Sequence, residues 1–282
     1  MNDSLGLFQV VYDEKTRKNI PNLFRPLDIS KQNKPDLREL VAFKQFTQNR
    51  TWDKFRYSGI FSPKFLQKTR INPQEMVDFI NKNPGHDIYL FHPYPLEFSI
   101  ANHFLELAEL EHPGITDALS HVWSLIFDTQ LPHIELPKEM HLVCHCNFFV
   151  ASPRFWKKYS VFVSKFYELA AENNNRKLLK FTPYTLSEIP NDSLQMSTFC
   201  FERALSLFIK DQAGELSSVN YCSHHPDHVY PELFDGEITF VQTKLHSILK
   251  SENKEMERSA AVLEYYNHRR YMTAGKRFME YA

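Results

Sequence analysis

The sequence predicts an α/β domain built on a mostly parallel central sheet flanked by helices. Short apolar runs alternate with helix-patterned stretches along most of the chain. The connections between those runs are long enough for the crossovers that parallel pairing requires. A chain of 282 residues, 43% hydrophobic and 24% charged, also has the composition of a folded protein with a sizeable core.

The elements follow in order. Phe8 to Tyr12 is the first apolar run, bounded by a polar stretch, and reads as a strand. Pro21, Pro26 and Pro35 punctuate an extended segment, after which Asp36 opens a helix carrying Leu37, Leu40, Val41 and Phe43. Tyr57 to Phe61 is the second strand, stopped by Pro63. Asn72-Pro73 marks a helix start, an N-cap followed by a proline where the missing N–H costs nothing, and Pro84-Gly85 ends that helix. Asp87 to Phe91 is the third strand. Helices are expected over Ser99 to Leu110 and Thr116 to Phe127. His141 to Ala151 is the strongest strand candidate, and Pro153 then starts a long helix through Ala171 with an apolar aromatic stripe. A helix over Ser197 to Lys210, a strand at Val219 to Cys222 and a helix over Ile238 to Lys250 complete a domain of residues 1–250. Residues 251–282 read as a charged helical extension.

The composition excludes several classes. With 33 basic and 34 acidic side chains the net charge is -1, so no global field for nucleic acid exists and no nucleic-acid partner is expected. The 7 glycines include no G-x-G pair, which removes the dinucleotide fingerprint and the phosphate-cradling P-loop. No stretch reaches the length of an apolar membrane span, and Met1 to Leu7 lacks a leader pattern. Cys144, Cys146, Cys200 and Cys222 read as free thiols of a cytoplasmic protein.

Open parallel sheets collect ligands beyond the carboxyl ends of their strands. The places to examine are therefore those after Tyr12, Phe61, Phe91 and Ala151. Several of these carry recognisable residues. Tyr57-Ser58-Gly59-Ile60-Phe61-Ser62-Pro63-Lys64-Phe65 with Lys68-Thr69, then Asp87 to Pro93, then Asn147-Phe148-Phe149-Val150 with Phe155 to Tyr159, and finally Phe201-Glu202-Arg203 occur in this order. The ordered set resembles glycosyltransferase-like proteins of bacterial capsule and lipopolysaccharide clusters. That resemblance covers residues 7–210. It implies a single GT-A-like (Rossmann-like) domain, a nucleotide-sugar donor, and a glycan or lipid-linked glycan acceptor for surface polysaccharide synthesis. One departure stands out. Such enzymes commonly hold Mg²⁺ or Mn²⁺ through an Asp-x-Asp at a central strand end, where hard carboxylate oxygens suit hard cations. Here the strand ends in Phe91-His92-Pro93-Tyr94; the nearest acidic pairs are Glu109/Glu111 and Asp235/Glu237. No cofactor is therefore assigned, and neutralisation of the diphosphate by side chains is the favoured expectation.

Sugar transfer needs groups that stabilise the leaving diphosphate, a base if configuration inverts, and a shaped cleft. For donor binding the candidates are Tyr12, Ser62, Lys64, Lys68, His92, His145, Asn147, Arg203, His224, His225 and His228. For the base they are Glu202, placed by the resemblance near a helix start where the dipole favours its ionised form, and Asp227. Strand alternation places Cys144 and Cys146 in the core, with His145 and Asn147 toward the cleft. The run Ser223 to His228 also admits a solvated loop or a zinc site, hence the alternative of a metal-dependent hydrolase. A non-catalytic binding relative is a further alternative. Arg258, Arg269, Arg270, Lys276 and Arg277, interleaved with Tyr265, Tyr266, Tyr271 and Phe278, suggest a peripheral contact with the inner membrane face, or instead a dimer contact or a solvated helix.

Overall fold

The computed structural model describes residues 4–129, 131, 139–172, 175–183 and 193–280, the side chains of residues 183 and 272–280 excepted. A six-stranded sheet forms its centre. In chain order its strands are β1 (Leu5–Val11), β2 (Phe24–Asp28), β3 (Tyr57–Phe61), β4 (Ile88–Leu90) and β5 (Phe149–Ala151). The short pair β6 (Phe181–Pro183) and β7 (Ser193–Gln195) stands apart as its own two-stranded sheet, and β8 (Ser218–Asn220) returns to the main one. The spatial order is β2-β1-β3-β5-β4-β8. All neighbours are parallel except β5, which runs antiparallel to both β3 and β4.

The helices are α1 (Glu14–Lys18), α2 (Glu39–Gln48), α3 (Phe65–Thr69), α4 (Pro73–Lys82), α5 (Pro95–Ile100), α6 (Glu106–Glu111) and α7 (Ile115–Phe127). Then come α8 (Pro153–Ala171), α9 (Arg176–Leu179), α10 (Met196–Asp211), α11 (Tyr221–His224), α12 (Glu237–Lys250) and α13 (Lys254–Glu280). An α/β architecture with a mostly parallel central sheet is thus what the chain adopts.

Local chemistry accounts for the element starts. Asn72 caps α4 by accepting from the Glu75 amide, and Glu75 reaches back to the Asn72 amide, both at 2.9 Å, so two end donors are satisfied reciprocally. Ser152 caps α8 with Pro153 at its first position. The inner strands are fully buried, which is why they read as continuous apolar runs rather than alternating ones. Gly59 is required in β3: a Cβ there would lie 2.2 Å from the Phe149 carbonyl oxygen of β5.

Four differences from the sequence expectations have clear causes. Phe24–Asp28 pairs with β1 although it contains Pro26, because β2 is an edge strand and its outward side needs no donor. The His141–Ala151 run is a strand only at Phe149–Ala151; the rest is irregular chain with φ of 62° at Cys146 and 53° at Asn147. The helix expected from Ser99 is interrupted, giving the separate α5 and α6. The strand expected at Val219 to Cys222 is shifted to β8, and Tyr221 and Cys222 begin α11.

Two apolar cores exist. The larger fills both faces of the sheet; the smaller joins α5, α6, α12 and α13 through Ile100, Leu107, Phe234, Val241, Val262 and Tyr265. The C-terminal helix expected beyond residue 250 therefore shares a core with α12 and lies against α5 and α6. Tyr265 is buried, and Arg258 donates to the Ser99 carbonyl at 2.8 Å, so both face the body of the protein. The side chains of Lys276, Arg277 and Phe278 lie outside the described residues. Among the described residues no helix is long and apolar enough to cross a membrane.

Candidate functional site

Tyr12 follows β1, Ser62 and Lys64 follow β3, and Phe91-His92 follow β4. Because β5 is antiparallel, the residues just before it, His145 to Phe148, reach the same edge of the sheet. The starts of α2 and α10 cover this edge. Between them lies a cleft of about 240 Å³ lined by Tyr12, Arg38, Glu39, Ser62, Lys64, Lys68, Asn147 and Glu202, with Phe199 and Phe201 supplying apolar wall. Behind it is a chamber of about 40 Å³, bounded by Glu97, Glu111, His145, Cys146, Arg203 and Arg269; Lys68, Phe199 and Glu202 line both spaces.

Two carboxylates face the cleft in different environments. Glu202 is paired with the Arg203 guanidinium at 3.0 Å. Glu39 accepts hydroxyl hydrogen bonds from Ser62 and Tyr12 instead. Burial in the cleft wall pushes the Glu39 carboxyl up to about 7, helped by the Glu202 charge and opposed by Lys68 and Arg38. Burial likewise raises the Tyr12 phenol well above its ordinary range, so it remains a donor. Lys68 stands between the two spaces, its ammonium donating to the Cys146 sulfur at 3.1 Å. Burial pushes that thiol up to about 12, with Lys68 pulling the other way, which keeps it a protonated lining group.

Asn147 is 1% exposed, and neither atom of its carboxamide has a hydrogen-bond partner among the described residues. Buried amides without partners are rare because each costs roughly 1–3 kcal/mol. Its backbone, like those of Cys146 and Arg38, has a positive φ, and three non-glycine residues in that region at one site is a concentration of strain.

The imidazoles behave otherwise than expected. His92 is fully buried, lines neither space, and accepts from the His145 amide at 3.3 Å. Burial pushes it down to about 3. Burial also holds His145 well below its ordinary value, with Arg203 adding to the effect. Both rings are uncharged at neutral pH, so neither supplies a cation to a diphosphate. His145 and Asn147 do line the two spaces, but so does Cys146: the alternation argument fails because this stretch is not strand.

The structure thus brings together Tyr12, Ser62, Lys64, Lys68, His145, Asn147, Glu202 and Arg203, with His92 packed behind them. It does not bring His224, His225, His228 or Asp227 to either space. The His225 ring stacks on Tyr221 at 4.0 Å, His224 packs edge-on to Phe79, and His228 Nε2 donates to the Thr69 carbonyl at 2.8 Å. Asp227 is exposed. This loop is held by packing against α4 and the end of α3. Glu202 also sits well inside α10 rather than in its first turn, beyond the reach of the helix dipole, and its partner is the Arg203 guanidinium.

Divalent-metal chemistry finds no fitting donor set. Among the described residues no group of three His, Cys, Asp or Glu side chains could hold an ion. Glu39 and Glu202 have hydroxyl and guanidinium partners, with the Lys68 charge acting on the Glu39 carboxyl. The other acidic pairs serve structure: Glu109 accepts from the Gly114 and Thr116 amides at the start of α7, and Glu237 accepts from the Leu233 amide and the Tyr265 hydroxyl.

Sequence reasoning missed Glu39, Glu97, Glu111 and Arg269. Glu39 was findable, since a helix that follows an edge strand begins near the carboxyl edge; the other three lie on helices whose mutual packing leaves no local signal. No protein-family model, no curated protein and no solved structure matches the chain.

Proposed function

We propose that the protein is a glycosyltransferase, moving a sugar from a nucleotide-sugar donor to a glycan or lipid-linked glycan acceptor in surface polysaccharide synthesis on a GT-A-like scaffold. One observation carries this reading. Three separate stretches that resemble such enzymes, Ser62 to Lys68, Asn147, and Glu202-Arg203, converge on a single cleft at the carboxyl edge of the sheet.

The cleft offers the groups the chemistry needs. Arg38, Lys64 and Lys68 provide positive charge for a diphosphate without a metal ion. The Asn147 carboxamide offers one donor face and one acceptor face to a sugar hydroxyl. Glu39, whose affinity for a proton is matched to neutral pH, takes the proton of the acceptor hydroxyl. The acceptor oxygen then bonds to the anomeric carbon, and the bond from that carbon to the diphosphate oxygen breaks, its electron pair leaving with the nucleotide. Glu202, paired with Arg203, orients the acceptor. On this reading the anomeric configuration inverts.

The test is thermal melting with uridine, guanosine and cytidine diphosphates. One of them is expected to raise the melting temperature, and Lys64→Ala or Lys68→Met to weaken its binding about tenfold or more. Silence from all three at millimolar concentration would refute the reading. Binding without turnover of any nucleotide sugar would make the protein a non-catalytic relative.

A further inference from the structure

We infer that the chamber behind the cleft takes the hydroxyl or hydroxymethyl groups of an uncharged sugar unit, the one being transferred, and that it rejects sugar acids. This rests on the glycosyltransferase reading and deepens it.

The chamber is too small for a nucleobase: about 40 Å³ is room for roughly three water-sized groups, the scale of neighbouring hydroxyls or a hydroxymethyl arm. It shares Lys68, Phe199 and Glu202 with the larger cleft, so a ligand lying in the cleft can reach into it. Its charged walls alternate in sign. Arg269 holds Glu111 at 2.7 Å and Glu97 at 3.1 Å; Arg203 lies 3.8 Å from Glu111 and 3.0 Å from Glu202. Three cations (Lys68, Arg203, Arg269) thus face three acids (Glu97, Glu111, Glu202).

This pairing of the arginines selects the guest. A carboxylate or phosphate entering a desolvated space would meet several acids that already hold the arginines. An ammonium would meet the three cations. A hydroxyl both donates and accepts, so it alone satisfies such walls without adding charge. With Glu97 protonated at neutral pH two acids face the three cations, but each cation is already engaged: Arg269 by Glu111 and the Glu97 carboxyl, Arg203 by Glu111 and Glu202, and Lys68 by the Cys146 sulfur.

Two buried polar atoms of the wall residues have no partner among the described residues. Arg203 Nε and His145 Nε2 are buried and unbonded among the described residues, on side chains only 6% and 7% exposed. One is a fixed donor, and the other belongs to a neutral ring that donates or accepts by tautomer. A pair of sugar hydroxyls completes both.

The experiment uses matched ligands on the full chain by calorimetry: UDP, UDP-glucose and UDP-glucuronate, with GDP, GDP-mannose and GDP-mannuronate in parallel. For whichever nucleotide binds, the neutral sugar is expected to bind at least tenfold tighter than its carboxylate counterpart. Glu111→Gln, which removes an opposing charge, is expected to narrow that gap at least threefold while leaving the free nucleotide unchanged. Glu97→Gln, compared with the parent at pH 9 where the parent's Glu97 carboxyl is ionised, serves the same purpose should Glu111→Gln fail to fold. Equal or tighter binding of the sugar acid, a gap that both folded variants leave unchanged, or exclusive use of a CMP-linked sugar acid, overturns the inference and leaves the wider reading standing. Failure of UDP, GDP, CDP and CMP alike to bind overturns both.

Discussion

Glu39 and Glu202 present carboxylates to the same cleft, yet only Glu202 is gripped by an arginine, at 3.0 Å; Glu39 is met by the hydroxyls of Tyr12 and Ser62. That asymmetry gives two chemically identical groups different partners, a guanidinium for one and hydroxyls for the other.

The pH dependence follows from Glu39. Its carboxyl, ordinarily at 4.5, is raised to about 7, so the folded protein binds the extra proton between those values. Stability from this group therefore falls as pH rises through that window, and above it the full cost of a desolvated charge remains. Glu39→Gln is expected to melt higher than the parent above pH 7.5, by about 1–3 kcal/mol of stability, and to converge with it below pH 5. Melting curves from pH 4.5 to 8.5 check this. The same variant is expected to lose at least about a hundredfold in turnover while retaining nucleotide affinity.

Arg269→Ala tests the buried network. It strands Glu97 and Glu111 without their shared cation, and a loss of about 3–5 kcal/mol is expected near pH 8. Burial pushes the Glu97 carboxyl up to about 8 even against the pull of Arg269. The stranded Glu97 carboxyl protonates as pH falls, so the loss is expected to shrink at pH 5. Urea denaturation at the two pH values measures the difference.

Gly59→Ala places a methyl 2.2 Å from the Phe149 carbonyl oxygen, which forces β5 away from β3. A destabilisation of about 2–3 kcal/mol is expected. Because Asn147 is carried on the segment entering β5, nucleotide binding should weaken in parallel, a coupling that calorimetry on the folded variant reads directly.

His224→Ala and His225→Ala are expected to leave nucleotide binding unchanged, since these rings pack on Phe79 and Tyr221. His228→Ala is expected to cost about 1 kcal/mol through the lost hydrogen bond to Thr69. Loss of the nucleotide-induced melting shift in any of the three would return this loop to the site.

What was legible in the sequence depended on whether burial and periodicity coincided. β1 and β3 read directly because both of their faces are covered. The run before β5 misled because Leu142, Val143, Cys144, Cys146 and Phe148 are buried in irregular chain, and burial alone imitates a strand. Nothing local announces left-handed backbone at Cys146 and Asn147, neither of them glycine. β2 was hidden by Pro26, an edge-strand proline. At the site, the strand-end rule found Ser62, Lys64 and Lys68, and the resemblance supplied Asn147; the position after Ala151 lies at the opposite edge because β5 is antiparallel, and the dense histidine run drew attention by composition but belongs to packing. Arg269 looked like part of a basic surface; only the tertiary fold turns it inward, where it is 5% exposed.

That inward turn orders events during synthesis. Glu97 and Glu111 emerge from the ribosome long before the helix that bears Arg269. Until α13 arrives, the two acids can mature only as protonated or hydrated groups, and the sheet edge must assemble around an open rear wall. The cleft-bearing part of the molecule is therefore translated early but finished late, by a single guanidinium delivered from downstream.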